Sequence, residues 1–473
     1  MRVPPATRSA ETRPRRPRRG GKSVRLSALL PLLAAVPLFA FPGVAAAAPG
    51  CFDSAAGLTV EEQRLTASLP AGGPAVGPEL VRLAALDPFV AEVKRDLCAA
   101  RTPRRAGRVV TQAGDRLWRT AVDRAQGRRP DLGTLDRFDD RPLYWARLQL
   151  SSAIRQWRPS FALPDRGALL TAFDRGSRGL DDVRFPLGKP RRVMVSGFDP
   201  FQLDGTGVRI SNPAGASALQ LDGRVLDTPS GPAVVQAVNF PVVWGYFDEG
   251  IVEAAYGEAL RDRARRPDVI MTISQGRPGR FDIERWAGAW RGGFPDNNNA
   301  SVTGGVPSAA GWPQPDLQFI ETTLPYSRML EVTGDYPVNF NQAFCVWPDA
   351  SQPGTGTPVC RSDAPAPGEI AASGGGGNYL SNESMYRSNR LRLGLGLTTL
   401  PGGHLHTPVL GQPTAPDALT DADFEARRQT IAAEVVSLVT AAAAGDRAPA
   451  APPRTADSAR AAIESLPGTV LPG

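Results

Sequence analysis

The strongest constraint on the fold is a change of hydrophobic period near residue 190. Before it, apolar residues recur at helical spacing. After it, Arg192-Val193-Met194-Val195-Ser196 is a short β-branched run that stops at Gly197, as a buried strand does. Residues 234–240 and 267–273 read as further strands, and residues 247–263 between them as an amphipathic helix. Strand, helix and strand with intervening loops predict an α/β fold: a three-layer sandwich with a mostly parallel twisted sheet flanked by helices. A closing helix is expected over residues 424–443. Residues 340–378 are rich in Pro, Gly, Ser and Thr and contain four consecutive glycines at 374–377. They predict a long loop or insertion within an α/β domain spanning 189–445.

The region before the switch, residues 49–188, is expected to be mainly helical. Residues 78–99 place Leu80, Val81, Leu83, Val90, Val93 and Leu97 at roughly helical spacing, and residues 117–125 and 143–157 repeat the pattern. No chemical motif stands out there. Arg104-Arg105 and Arg128-Arg129 read as solvent-facing charge, and the region as a helical accessory module.

Residues 1–48 have an Arg-rich start, an apolar run broken by Pro31, Pro37 and Pro42, and then Ala45-Ala46-Ala47-Ala48. This is the order of a secretory signal peptide, so the mature chain is expected to be secreted and to have no membrane span. The segment also explains the basic balance. Residues 1–50 hold nine of the 54 Lys/Arg and one of the 47 Asp/Glu, leaving 45 against 46 in the rest. A near-neutral body removes the argument for a nucleic-acid partner. Residues 446–473 are Ala/Pro-rich and read as disordered.

Four cysteines follow the signal: Cys51, Cys98, Cys345 and Cys360. An even count in an exported chain suggests two disulfides. Of the three pairings, local spacing favours Cys51–Cys98 and Cys345–Cys360. The second closes a loop of about fifteen residues, worth roughly 3 kcal/mol in the chain-entropy description. None has the spacing of a zinc site.

Chemistry is sparse. There is no GxSxG elbow and no phosphate loop. The two histidines, His404 and His406, are two residues apart and face the same way in an extended segment. No third His or Cys ligand accompanies them, so no metal and no cofactor are expected. A histidine base needs a nucleophile and an orienting carboxylate, and spacing alone does not select them.

Several segments, taken in order, resemble pyroglutamyl peptidase I (pyrrolidone-carboxylate peptidase). They are Val193-Met194-Val195-Ser196-Gly197-Phe198-Asp199-Pro200-Phe201, Ser211-Asn212-Pro213, Phe240-Pro241-Val242-Val243-Trp244-Gly245, Ser274-Gln275-Gly276, Ile283-Glu284-Arg285-Trp286-Ala287, Phe294-Pro295-Asp296-Asn297 and Thr323-Leu324-Pro325. The resemblance spans roughly residues 190–443 and implies a Cys–His–Glu hydrolase that removes N-terminal pyroglutamate. Asn382-Glu383-Ser384-Met385-Tyr386-Arg387-Ser388-Asn389 stands at the nucleophile segment, which places Ser388 at the cysteine position. Gly403-His404-Leu405-His406-Thr407-Pro408 places His406 as base, with Glu284 holding its ring. Phe198, Phe201 and Tyr386 match aromatic pocket positions, and Gln275 a further pocket position.

Serine in place of cysteine exchanges a readily ionised thiol for a hydroxyl that depends on its base during attack. The segment after Ser388 reads as a trimmed helix, with Leu393-Gly394-Leu395-Gly396 a poor helical core, and Arg387 is unusual beside a nucleophile. Ser384 and Ser381 stay open as alternatives to Ser388. The expected function is an exported peptidase-like hydrolase acting on a peptide or small acyl-amide through Ser388, His406 and Glu284. The alternative is a catalytically inactive binding or structural protein on the same fold.

Overall fold

The computed structural model describes residues 50–444 apart from 164 and 189. The signal peptide read over 1–48 and the tail read over 446–473 lie outside the described residues. All of 50–444 falls in one compact unit.

Its N-terminal part is helical: α1 (Val76–Leu83), α2 (Asp87–Ala99), α3 (Pro103–Ala125), α4 (Arg141–Gln156) and α5 (Arg166–Ser177). The periodic stretch over 78–99 is two helices, not one. Pro88 sits in the first turn of α2, where its missing N–H costs nothing; a continuous helix would need that N–H and would clash with the carbonyl a turn back. Ala85 absorbs the bend at φ 53. Trp118, Trp145, Tyr144 and Leu80 are buried in the core of this part. Helices α3 and α5 approach closely at Gly114, where a Cβ would lie 2.6 Å from the carbonyl oxygen of Phe173. Arg104-Arg105 and Arg128-Arg129 are exposed.

The second part is built on a seven-stranded sheet. Its strands are β1 (Arg191–Phe198), β2 (Val225–Thr228), β3 (Gly231–Phe240), β4 (Val269–Gln275), β5 (Phe281–Glu284), β6 (Val338–Asn341) and β7 (Gly402–Thr407). The order across the sheet is β6-β5-β7-β4-β1-β3-β2. The four central strands β7, β4, β1 and β3 are parallel. Strand β5 runs antiparallel to β7, and β2 to β3, so the sheet is mixed. Helices α6 (Pro213–Leu221), α7 (Ile251–Arg261), α8 (Leu380–Gly394) and α9 (Ala422–Ala443) flank it.

Alternation along the strands divides the core. Val193, Val195, Ile273 and Leu405 pack with Phe424, Ile431 and Val435 of α9. Met194 and Ile270, from the opposite face, pack with Val252, Leu260, Leu380 and Leu391 of α7 and α8. Both faces of the sheet are therefore buried, as its apolar strands require.

Three expectations change. The helix over 247–263 breaks at Gly250, whose φ of 80 ends a short helix before α7 begins. The nucleophile segment lies inside a helix and not before one: α8 runs fifteen residues from Leu380 to Gly394 and ends six residues after Ser388. Residues 340–378 are not a structureless loop. Their first residues finish β6, and Phe344–Val346, Val359–Arg361 and Ala371–Ser373 form a three-stranded sheet. Cys345 and Cys360 face each other across it and are joined as a disulfide; Cys51–Cys98 is the other. Among the described residues no helix is long and apolar enough to cross a membrane.

Candidate active site

Strands β5 and β7 are antiparallel neighbours, so Glu284 and His406 stand diagonally on one face. His406 Nδ1 lies 2.7 Å from Glu284 Oε1, and both residues are almost fully buried. The other carboxylate oxygen accepts from Asn341 Nδ2 at 2.7 Å. A guanidinium nitrogen of Arg277 stands 3.8 Å from Oε1. The carboxylate is thus fixed on both oxygens, and the ring it holds has Nε2 left for chemistry.

The middle two of the four consecutive glycines are explained by this pair. A Cβ at Gly375 would lie 2.1 Å from Glu284 Oε2, and one at Gly376 2.2 Å from His406 Cε1. On the other side, a Cβ at Gly276 would lie 2.5 Å from His406 Cβ. Main chain is packed against carboxylate and imidazole where no side chain fits. Sequence reasoning took the run for loop composition, although four glycines together are the signal of such close approach.

His406 opens on a cavity of about 380 Å³. Phe198, Phe201, Val242, Phe294 and Tyr379 give it apolar walls, and Gln275 and Ser274 also line it. Ser381 lines it as well, as the second residue of α8. The amides of Leu380 and Ser381, in the first turn, have no carbonyl a turn back to bond. No side chain caps this helix end.

The structure does not bring Ser388 to this cavity. It lies in the middle of α8, 1% exposed, with its hydroxyl donating to the carbonyls of Ser384 and Met385 at 2.8 and 3.1 Å. Tyr386 is displaced likewise. It packs with Ala287, Ile320 and Met385, and its hydroxyl donates to the Leu317 carbonyl. The cavity takes Ser381 and Tyr379 in their place, each seven residues earlier. Ser384, the other alternative, turns its hydroxyl onto the Ser381 carbonyl. Arg387 is buried beneath α8, between Glu383 at 2.7 Å and Glu253 of α7 at 3.0 Å. Phe198, Phe201 and Gln275 do line the cavity, with Phe198 also packed on Phe240 and Phe247.

His404 sits on the same face of β7 as His406, their rings edge to face at 4.4 Å. Its ring nitrogens meet Thr272 Oγ1 at 2.7 Å and Ser274 Oγ at 2.8 Å. Burial, reinforced by neighbouring His406, holds its affinity for a proton far below the usual imidazole range, so this ring is neutral.

The helical part is more than an accessory to this site. Asp199, in the loop between Phe198 and Phe201, is gripped by Arg147 of α4 at 2.9 Å and by Arg178 just after α5 at 2.5 Å. Burial alone would raise this carboxyl, but the two guanidiniums outweigh it and hold it below the usual range. Asp140, the residue just before α4, accepts from the Ser211 hydroxyl and from the Asn212 amide at 3.0 Å. Asn212 lines the cavity too. One wall of the cavity is therefore set by side chains of the helical part.

The chain matches two family descriptions: PA0049 N-terminal domain over residues 44–174, and PA0049, C-terminal domain, over residues 192–314 and 348–411. An uncharacterized protein of Pseudomonas aeruginosa, PA0049, is 33% identical over 491 aligned positions, covering 81% of this chain and 89% of that protein. These matches overturn the resemblance to pyroglutamyl peptidase I: the region that carried it matches the PA0049 C-terminal domain, and no pyroglutamyl peptidase family matches. The motifs were short and common to strand-and-turn segments, and order alone made them look specific. With both its domains matched in order and one relative aligned over most of its length, the chain belongs to the PA0049 family.

Proposed function

We propose that this chain is an exported hydrolase that cleaves a small acyl amide or ester through Ser381, His406 and Glu284. One observation carries the reading: a serine at the start of a fifteen-residue helix and an imidazole held by a buried carboxylate line the same small cavity. Ser381 Oγ attacks the acyl carbon while His406 Nε2 takes its proton, and Glu284 stabilises the resulting imidazolium. The Leu380 and Ser381 amides receive the oxyanion at the positive end of the helix. Collapse of the tetrahedral species breaks the bond to the leaving group, which takes the proton from His406. Water, deprotonated by the same ring, then releases the acid and restores Ser381. With the family resemblance withdrawn, nothing in the cavity singles out a pyroglutamyl group. The walls favour a compact acyl group with an apolar face.

On this reading the sheet with its two helical faces is a three-layer sandwich, and residues 1–48 are a secretory signal. The two disulfides support export.

The test is hydrolysis of a panel of acyl 4-nitroanilides and 4-nitrophenyl esters by the native chain, Ser381→Ala and His406→Phe. Turnover lost in both variants and kept in Ser388→Ala is the expected result. Turnover that survives Ser381→Ala removes the proposal. A second reading, a binding protein without chemistry, has one observation in its favour: no hydrogen bond joins Ser381 to His406 among the described residues. Acyl compounds bound by the native chain but never turned over, even with Ser381→Cys, decide for it.

A further inference from the structure

We infer that Ser274 presents its hydroxyl as a hydrogen-bond donor into the cavity, so that the acyl group taken there carries a carbonyl or similar acceptor near the reacting carbon. The inference rests on the reading of the cavity as an acyl site. It starts from a short chain of polar groups: Thr272 Oγ1, the His404 ring and Ser274 Oγ, joined at 2.7 and 2.8 Å. Thr272 is 0% exposed, His404 1% and Ser274 3%.

A neutral imidazole has one N–H and one acceptor nitrogen, so this chain has two possible polarities. Suppose Nδ1 carries the hydrogen. Thr272 then accepts it, and its own O–H needs another acceptor. Among the described residues Thr272 Oγ1 has no partner but His404, so a fully buried hydroxyl hydrogen would be left unbonded, which is costly. Suppose instead that Nε2 carries it. Thr272 donates to Nδ1, Nε2–H donates to Ser274, and the surplus hydrogen belongs to Ser274. That residue lines the cavity, so its O–H can meet water or a ligand.

Register then places the donor. In the β4–β7 pair Ser274 is the direct partner of His406, the proposed base. An acceptor bonded to Ser274 therefore sits beside the base, within reach of the reacting carbonyl. The neighbouring walls are apolar, so this donor discriminates strongly between an acyl group that satisfies it and one that buries it unpaired.

The probes are two anilides that differ only by a ketone, the 4-oxopentanoyl and the pentanoyl anilide. Binding is measured by titration calorimetry on the full chain carrying Ser381→Ala, so that turnover does not interfere. The expected result is a preference for the oxo compound of about tenfold or more. Ser274→Ala should abolish it. Thr272→Val should weaken it: without the Thr272 hydrogen on Nδ1 neither ring polarity is enforced, and Ser274 can turn its own hydrogen onto Nε2 instead of into the cavity. Thr272 does not line the cavity, so its effect cannot come from altered shape, and Thr272→Ser should restore the preference. No preference in the parent, no binding of either probe, or a preference that survives Ser274→Ala overturns the inference. If Ser274→Ala does not fold, the Thr272 pair decides alone. A preference in binding without hydrolysis by the native chain would sink the hydrolase and leave this donor standing. Hydrolysis of both anilides with equal kcat/KM would do the reverse.

Discussion

Helix α8 and the residue before it carry the same tetrapeptide pattern twice, two turns apart. Tyr379-Leu380-Ser381-Asn382 stands at the helix start, and Tyr386-Arg387-Ser388-Asn389 in its middle. The two copies have opposite surroundings. At the start, Ser381 and Tyr379 line the cavity and two amides have no partner a turn back. In the middle, the Ser388 hydroxyl is absorbed by carbonyls of its own helix, and Tyr386 is packed away. At the second position of the pattern, Leu380 joins an apolar core while Arg387 is clamped between Glu383 and Glu253. Residue type makes a serine available, but its position in the helix decides whether it faces a reaction or the interior.

The largest effect should separate the two copies by activity. If the hydrolase reading holds, Ser381→Ala lowers kcat/KM by about a thousandfold or more, as loss of a serine nucleophile does. Steady-state assay of the two alanine variants side by side breaks the comparison if both lose activity alike.

A second test sharpens it by stability. Arg387→Met keeps the bulk but removes the nearest cation from buried Glu383 and Glu253, leaving them Arg291 at 3.5 Å and Arg390 at 3.6 Å. Breaking one side of a buried pair costs about 3–5 kcal/mol, and the two remaining cations hold the loss to the lower end of that range. Urea unfolding should show that loss. Leu380→Met, at the matching place in the first copy, is a volume-conserving swap that should cost under about 1.5 kcal/mol.

Asp139 and Asp140 repeat the lesson one residue apart. Both are buried, which raises both carboxyls, but Arg141 and Arg428 outweigh this at Asp139 and hold it low. Asp140 feels burial and its neighbour's charge, and is pushed up to about 6. A raised value in the folded state means that folding retains a proton the unfolded chain gives up. Stability from this group is therefore full below about pH 4 and falls as pH rises through about 6. Asp140→Asn has no proton to lose. Between pH 4 and 7 the difference in unfolding free energy should move in the variant's favour by up to about 3 kcal/mol. Asp222, also pushed up to about 6, is common to both proteins and cancels.

Much of this was legible in sequence. Period switching located the helical part and the sheet, because strands buried on both faces and amphipathic helices write different patterns. Cysteine spacing pointed to both disulfides. Glu284 and His406 were placed together by a resemblance that the family matches overturn, and the structure sets them 2.7 Å apart. What stayed hidden depends on contacts between distant residues. The Tyr-x-Ser-Asn repeat left two registers, and nothing local says that the first turn of α8 begins at Leu380. The glycine run reads as a loop until a carboxylate and an imidazole are seen against it. Arg147, Arg178 and Asp140 look like ordinary helix-surface charge until Asp199 and Asn212 arrive from the other half of the chain. Even the break before α2 was legible only in part: Pro88 was there to read, but the apolar spacing ran through it.

The smallest predicted effect closes the comparison from the side of Ser388. Its hydroxyl donates to the carbonyls of Ser384 and Met385, which in a continuous helix already receive N–H groups from the next turn. The hydroxyl therefore satisfies itself and nothing else, and this kind of back-bonding slightly weakens a helix. Alanine removes the donor and its need together, fits within the serine's volume, and is the better helix former. Asn389 loses only a weak contact, because its Nδ2 keeps the Met385 carbonyl at 2.9 Å when the 3.4 Å approach to Ser388 Oγ is gone. Ser388→Ala should thus change the unfolding free energy measured in urea by no more than about 0.5 kcal/mol in either direction and leave turnover unchanged. A loss of several kcal/mol would mean that the mid-helix hydroxyl serves a partner beyond its own helix, and the contrast between the two serines would then rest on activity alone.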